Sequence, residues 1–188
     1  MKRALIAMIW WVSACARVPL HSPRALELEL AGSDGRRHDV AAELRATELT
    51  VFIFVSRSCG ILPLHEPRLA ELHARYAGRN VAFRLVDSEV GVNAAVDADF
   101  ARQRGYHFPL LSDPGAHLAA ALNAEFATHT VIVDRHAVVR YAGGIDSDRN
   151  RLHADARLYL RDALDDLLAG REPRVARGEA LGCALRLD

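Results

Sequence analysis

The chain has 188 residues, 51% of them hydrophobic, and 24 basic side chains balance 24 acidic ones. This suits one globular domain with a sizeable core; it excludes a disordered polymer and lacks the basic excess of a nucleic-acid binder. Of the basic residues 23 are Arg and Lys2 is the sole lysine, so neither a Schiff-base lysine nor a phosphate-loop lysine is available beyond the extreme N-terminus.

Lys2 and Arg3 precede an apolar run, Ala4 to Trp11, and then the small residues Val12, Ser13 and Ala14 before Cys15. A charged start, a short apolar stretch and small residues form a secretory signal, and the run is too short to span a bilayer. Val-Ser-Ala-Cys resembles the lipobox of bacterial lipoproteins, in which the chain is cut before the cysteine and the cysteine is lipidated. By that resemblance residues 1–14 are a signal peptide and Cys15 is the lipid anchor that holds the protein to an envelope membrane, periplasmic or extracytoplasmic. Residues 15–24 are then a tether, and the mature chain is lysine-free. The alternative is an ordinary signal with an incidental cysteine. An exported chain works where thiols can pair, and two cysteines remain for chemistry, Cys59 and Cys183.

Leu26 to Ala31 alternates apolar and acidic residues and predicts a half-buried strand before the Gly32–Gly35 turn. Asp39 to Ala46 predicts a short helix. Leu49 to Val55 (LTVFIFV) is a continuous apolar run, a strand covered on both faces. Leu62 to Ala77 is a helix with Leu62, Leu69, Leu72 and Tyr76 on one face, and His65 and His73 are expected on its solvated face. Val81 to Val86 is the next strand, and Asn93 caps a helix through Arg104. Pro109 to Ser112 is extended, and Asp113-Pro114 is read as the N-cap and first position of a helix through Leu122. Thr130 to Val133 and Val138 to Ala142 form a hairpin. Asn150 to Ala169 is read as one long amphipathic helix with Asp162, Asp165 and Asp166 toward solvent. Residues 25–170 thus form the domain, and residues 171–188 an irregular tail carrying Cys183. The alternation implies an α/β fold with a central mixed sheet flanked by helices, mainly parallel with an antiparallel edge added by the final hairpin.

Val55-Ser56-Arg57-Ser58-Cys59-Gly60 falls where a buried strand gives way to a helix. Free N–H groups and the dipole at a helix start favour thiolate, the nucleophilic form; a small buried core residue is the other reading of Cys59. The segment Val51 to Leu72 resembles the active-site segment of thioredoxin-like redoxins of the alkyl hydroperoxide reductase/thiol-specific antioxidant superfamily. The likeness continues through Gly105 to Asp113, Val131 to Asp134, Arg140 to Asp146 and Leu181-Gly182-Cys183. The resemblance implies a thioredoxin-like fold with an extra N-terminal strand, and a thiol-based oxidoreductase without cofactor or metal. Its substrate would be a protein thiol/disulfide or a hydroperoxide, with an electron donor the sequence does not specify. Catalytic residues would be Cys59 as redox nucleophile and Cys183 as resolving thiol, with Ser56 bonded to the Cys59 sulfur. Thr128 and His129 would support them on the facing loop.

The chain departs from the family pattern at several places. Ser56 stands where thioredoxins have the first cysteine of Cys-x-x-Cys, Phe52 replaces the peroxiredoxin proline, and Gly60 replaces the proline after the cysteine. Thr128 occupies the place of the cis-proline, and a trans bond is expected there. Two alternatives stay open: a binding module holding copper through Cys59 and His129, as copper-delivery proteins of the Sco type use a histidine at a similar place, and a degenerate redoxin with a structural Cys59–Cys183 disulfide. None of the nine histidines falls in a paired zinc spacing.

Overall fold

The computed structural model describes residues 23–187; the signal peptide, Cys15 and most of the tether expected above lie outside them. After a 3-10 turn at Pro23–Leu26 the elements are β1 Glu29–Gly32, β2 Arg37–Asp39, α1 Val40–Ala46, β3 Leu49–Val55, α2 Leu62–Arg75 and β4 Val81–Asp87. Then come α3 Ala94–Arg104, β5 Leu110–Ser112, α4 His117–Leu122, β6 Thr130–Asp134, β7 Val139–Gly143 and α5 Tyr159–Leu168. One seven-stranded sheet has the order β2-β1-β5-β4-β3-β6-β7. Only β3/β4 and β4/β5 are parallel; β1/β2, β1/β5, β3/β6 and β6/β7 are antiparallel. The mixed sheet flanked by helices is the expected one, with β1 as the extra N-terminal strand and more antiparallel pairs than the final hairpin alone supplies.

Every residue of β3 is buried, as a central strand requires. Its alternating side chains feed two cores. Val51, Ile53 and Val55 pack with Leu62, Leu69, Leu72 and Tyr76 of α2 and with Leu160, Leu164 and Leu167 of α5. Phe52 and Phe54 point the other way, to Val40 and Leu44 of α1, Leu118 and Leu122 of α4, and Leu185 of the tail. Removing a buried leucine from such a core costs about 2–5 kcal/mol, so the doubly covered β3 is the rigid platform from which the site is built.

Four expectations are corrected. β2 was not foreseen: Arg37-His38-Asp39 carries no apolar alternation, and it is held by pairing to β1 with His38 buried between Asp34 and Glu43. The last helix starts at Tyr159, not Asn150, because Asp148 accepts hydrogen bonds from the His153 N–H (2.9 Å) and ring (2.8 Å) and holds residues 148–153 in a turn. Asp113 does cap α4, through the N–H groups of Leu118 and Ala119, but Pro114 is outside the helix and Ala116 takes the first cap position in the left-handed region. Asp166 is buried, not solvent-facing; Arg171 and Arg174 hydrogen-bond it and hold its carboxyl at about 2, below the usual range.

His65 and His73 are corrected likewise. His65 is buried, with Nδ1 3.3 Å from Asp146, and His73 packs against the rings of Phe83 and Phe108.

The tail is an irregular strap. The N–H of Ala142 in β7 donates to the carbonyl of Ala176, and the N–H of Gly178 returns a bond to Ala142. Gly143 and Gly144 leave the space this needs, since a Cβ on either would overlap the backbone of Gly178 or Glu179. The strap then crosses the residues between α4 and β6, and Phe126 and Ala184 form an antiparallel bridge.

Candidate active site

Cys59 lies four residues beyond the end of β3 and three before the start of α2. The turn is closed by the Cys59 N–H donating to the Ser56 carbonyl at 3.1 Å. Proline at the second position of α2 costs no hydrogen bond there, since the first four N–H groups of a helix have no partner inside it. Two of those free groups, Ile61 N–H and Leu62 N–H, are aimed at the Cys59 sulfur. The thiol itself is 4% exposed and packs with the core that contains Phe52 and Phe54.

The strap brings Cys183 to it. The two sulfurs, 124 residues apart in the chain, lie 2.7 Å apart, and both cysteines are free. Four contacts set the strap. The Ala127 N–H donates to the Cys183 carbonyl at 2.8 Å, and the Leu185 N–H to the Glu125 carbonyl at 2.9 Å. The Val90 N–H donates to the Arg186 carbonyl at 2.7 Å, and the Arg186 guanidinium reaches Glu89 at 3.4 Å. Leu185 is buried in the core. Gly182 is the point of closest approach: a Cβ there would overlap the Ala127 carbonyl oxygen and lie 3.2 Å from Thr128 Oγ1.

The pair is electrostatically asymmetric. Burial opposes ionisation of Cys59, but hydrogen bonds from the Cys183 thiol and from the N–H groups of Ile61, Cys183 and Leu62 outweigh it, and its pKa falls below the ordinary thiol value. Cys183, as donor to Cys59 and partly desolvated, is shifted upward. Cys59 is therefore the more acidic of the two thiols, the property that favours a nucleophilic or leaving sulfur.

The supporting residues are placed differently from expectation. The Ser56 hydroxyl bonds Ser58, through Oγ at 3.0 Å and N–H at 3.3 Å, and not the Cys59 sulfur. Its contribution to the turn is its carbonyl. Thr128 stands on the facing loop with a trans bond and φ of 69°, its N–H donating to the Phe54 carbonyl at 2.7 Å. The strap's Gly182-Cys183 lies against this loop. His129 pairs through its carbonyl with Phe54; its Nδ1 is buried without a partner, and burial lowers its pKa against the pull of Glu125. Among the described residues no group of three or more His, Cys, Asp or Glu is arranged to hold a metal ion.

One cluster escaped the sequence reading. Arg57, two residues before Cys59, places Nε 3.0 Å from Asp87 and 3.4 Å from Asp97, both fully buried. Ser112 donates to the other oxygen of Asp97. A charged residue closing the apolar run VAFRLVD was the only hint in the sequence. Burial pushes Asp97 up to about 6, with the nearby Asp87 carboxylate adding to it and Ser112 and Arg57 opposing. A carboxyl whose pKa is raised on folding contributes stability below its unfolded value near 3.8, and that contribution is lost as pH rises through about 6. Asp97→Asn is therefore expected to gain about 2 kcal/mol relative to wild type between pH 4 and pH 7, by urea unfolding at each pH. Parallel pH profiles would refute it.

A mixed sheet between two helical layers, with a cysteine at a strand-to-helix turn, defines a thioredoxin-like redoxin. A family model described as the AhpC/TSA family matches residues 23–142, and the chain belongs to that family. Solved structures agree on the fold. A hypothetical protein, SMc02350, from Sinorhizobium meliloti 1021 is 24% identical over 87% of this chain and 92% of its own, with a TM-score of 0.77. A secreted Mycobacterium tuberculosis disulfide oxidoreductase homologous to E. coli DsbE is 15% identical over 79% of this chain and 99% of its own, TM-score 0.57. The Xanthomonas campestris bacterioferritin comigratory protein, described for alkyl peroxide reduction activity, is 16% identical over 82% and 96%, TM-score 0.57. No curated protein matches the chain.

Proposed function

We propose that the chain is an envelope-anchored thiol oxidoreductase in which Cys59 is the redox nucleophile and Cys183 its resolving thiol. The observation that carries this reading is the 2.7 Å approach of a buried, acidified Cys59 to an exposed Cys183 on a strap held by its own backbone contacts. With a hydroperoxide, the Cys59 thiolate attacks the distal oxygen, the O–O bond breaks, and the alkoxide leaves, taking a proton from water to become the alcohol, as Cys59 becomes a sulfenic acid. The Cys183 thiol then attacks that sulfur, and water leaves as the disulfide forms. With a protein disulfide, Cys59 forms a mixed disulfide that Cys183 resolves in the same position. What supports the envelope location is the sequence pattern alone: a charged start and short apolar run in residues 1–14, and a lipobox-like Val-Ser-Ala-Cys ending at Cys15.

The test is disulfide mapping by mass spectrometry of the full chain, reduced and then treated with one equivalent of hydrogen peroxide or of oxidised glutathione. Formation of a Cys59–Cys183 bond, and return of both thiols with dithiothreitol, are expected. A bond that resists dithiothreitol would mark a structural disulfide instead, and two unreacted thiols would refute the redox reading.

A further inference from the structure

The end of the strap is held as a bound peptide is held. Toward the facing loop, the Ala127 N–H donates to the Cys183 carbonyl at 2.8 Å and the Leu185 N–H to the Glu125 carbonyl at 2.9 Å, an antiparallel pairing about Phe126 and Ala184. Toward the residues after β4, the Val90 N–H donates to the Arg186 carbonyl at 2.7 Å. Backbone bonds of this kind seat an extended peptide that adds to exposed main chain as an extra strand. The side chains are read as well. Leu185 is buried and Leu187 packs against the same core, while Ala184 between Cys183 and Leu185 is exposed, the alternation of a segment with one covered face. The Arg186 guanidinium reaches Glu89, which is 4% exposed. Gly182 leaves room for the Ala127 carbonyl that a Cβ would overlap. Beyond α5 the described tail contains no helix or strand of its own. It stays in place through this groove's backbone bonds, apolar pocket and carboxylate.

We propose that the groove is a peptide-reading site for client proteins and that the tail is its resident occupant. A client is selected when its reacting cysteine lies in the sequence Gly-Cys-x-Leu-Arg, the pattern of residues 182–186. This proposal rests on the redox reading above and deepens its protein-disulfide branch by naming the partner's chemistry. The partner is an extended segment with glycine before the cysteine, an apolar residue two places after it and a basic residue three places after it.

A client segment seated in the tail's register puts its cysteine sulfur where that of Cys183 lies, 2.7 Å from the Cys59 sulfur. The Cys59 thiolate bonds to it, the client's disulfide breaks, and the client's other cysteine leaves as a thiolate that takes a proton from water. Tail and client then compete for one groove. A tethered segment has an effective concentration on the order of millimolar, so the tail returns. Cys183 gives its proton to water, its sulfur bonds to that of Cys59, and the client cysteine is expelled as a thiolate and protonated in turn. The client ends as a dithiol and the pair as a disulfide, so atoms and electrons balance. Resolution and release are one event, because the returning tail fills the place the client held.

The test uses the full chain carrying Cys183→Ser, which traps a mixed disulfide at Cys59, and synthetic peptides whose single cysteine is joined to glutathione. The parent peptide is residues 181–187, Leu-Gly-Cys-Ala-Leu-Arg-Leu. Three others carry Gly182→Ala, Leu185→Asp or Arg186→Glu, and formation of the protein–peptide adduct is timed by intact mass. The parent is expected to react at least about tenfold faster than each of the three. Glu89→Gln in the protein is expected to cut the penalty of the Arg186→Glu peptide to below about threefold. Equal rates for the four peptides, or no peptide adduct where oxidised glutathione does modify Cys59, would overturn the peptide-reading site. An unchanged Arg186→Glu penalty in Glu89→Gln would overturn the selection of a basic residue. Failure of Cys59 to react even with oxidised glutathione would instead overturn the redox reading beneath the proposal.

Discussion

Cys59→Ser is expected to remove both peroxide consumption and disulfide exchange, lowering either rate by at least about a thousandfold. The chemistry needs a polarisable sulfur that ionises near neutral pH. A serine hydroxyl in the same place keeps the Ile61 and Leu62 hydrogen bonds but not the anion. The fold should survive, because the exchange is close to isosteric and the new hydroxyl finds those N–H partners; a stability change of about 1 kcal/mol is expected. Cys183→Ser separates the two roles. It should react with about one equivalent of peroxide, since Cys59 remains, and then stall as the sulfenic acid because nothing resolves it. Peroxide consumption followed with and without dithiothreitol reads both variants, and wild-type turnover in Cys59→Ser would refute the proposed function.

Gly182→Ala leaves both cysteines untouched and is expected to slow formation of the Cys59–Cys183 bond by about a hundredfold. A Cβ at 182 would overlap the Ala127 carbonyl oxygen and lie 2.7 Å from its carbon, both backbone atoms that cannot turn aside. The strap must lift, losing the Ala127–Cys183 hydrogen bond and the 2.7 Å sulfur approach. Displacing a reacting group by about 1 Å carries a cost of this size. The lifted strap also withdraws two of the groups that acidify Cys59, the Cys183 thiol and N–H, so its pKa should rise. Gly60→Ala is the control: nothing lies within 4 Å of a Cβ there. Equal rates of thiol loss in Gly182→Ala and wild type would show that the strap does not position Cys183.

The elements around the site were legible because they are coded locally. LTVFIFV reads as a buried strand from its length and β-formers, the spacing of Leu62, Leu69, Leu72 and Tyr76 as a helix packed on one side, and the cysteine between them as a residue just before a helix start. Asp39 and Asn93 cap α1 and α3 as their side chains dictate. Polar and charged residues were misread wherever their partners come from elsewhere in the chain. His65 looked like a surface residue until Asp146 was brought beside it, and Asp166 until Arg171 and Arg174 folded back on it. Residues 150–158 looked helical until Asp148 claimed the His153 N–H.

The same division runs through the site. The sequence alone determined that a thiol would sit just after a buried strand, before a helix start where N–H groups favour its anion, in a chain with no lysine beyond position 2. Only the tertiary structure decided that Cys183 would be its partner at 2.7 Å, that Cys59 would be the covered sulfur and Cys183 the open one, and that Gly182 would be the hinge of their contact. The reason is physical. Strand, helix and cap preferences depend on neighbours a few residues away, whereas the strap's path depends on the N–H of Ala127 and the edge of β7, which no local pattern in residues 171–188 encodes.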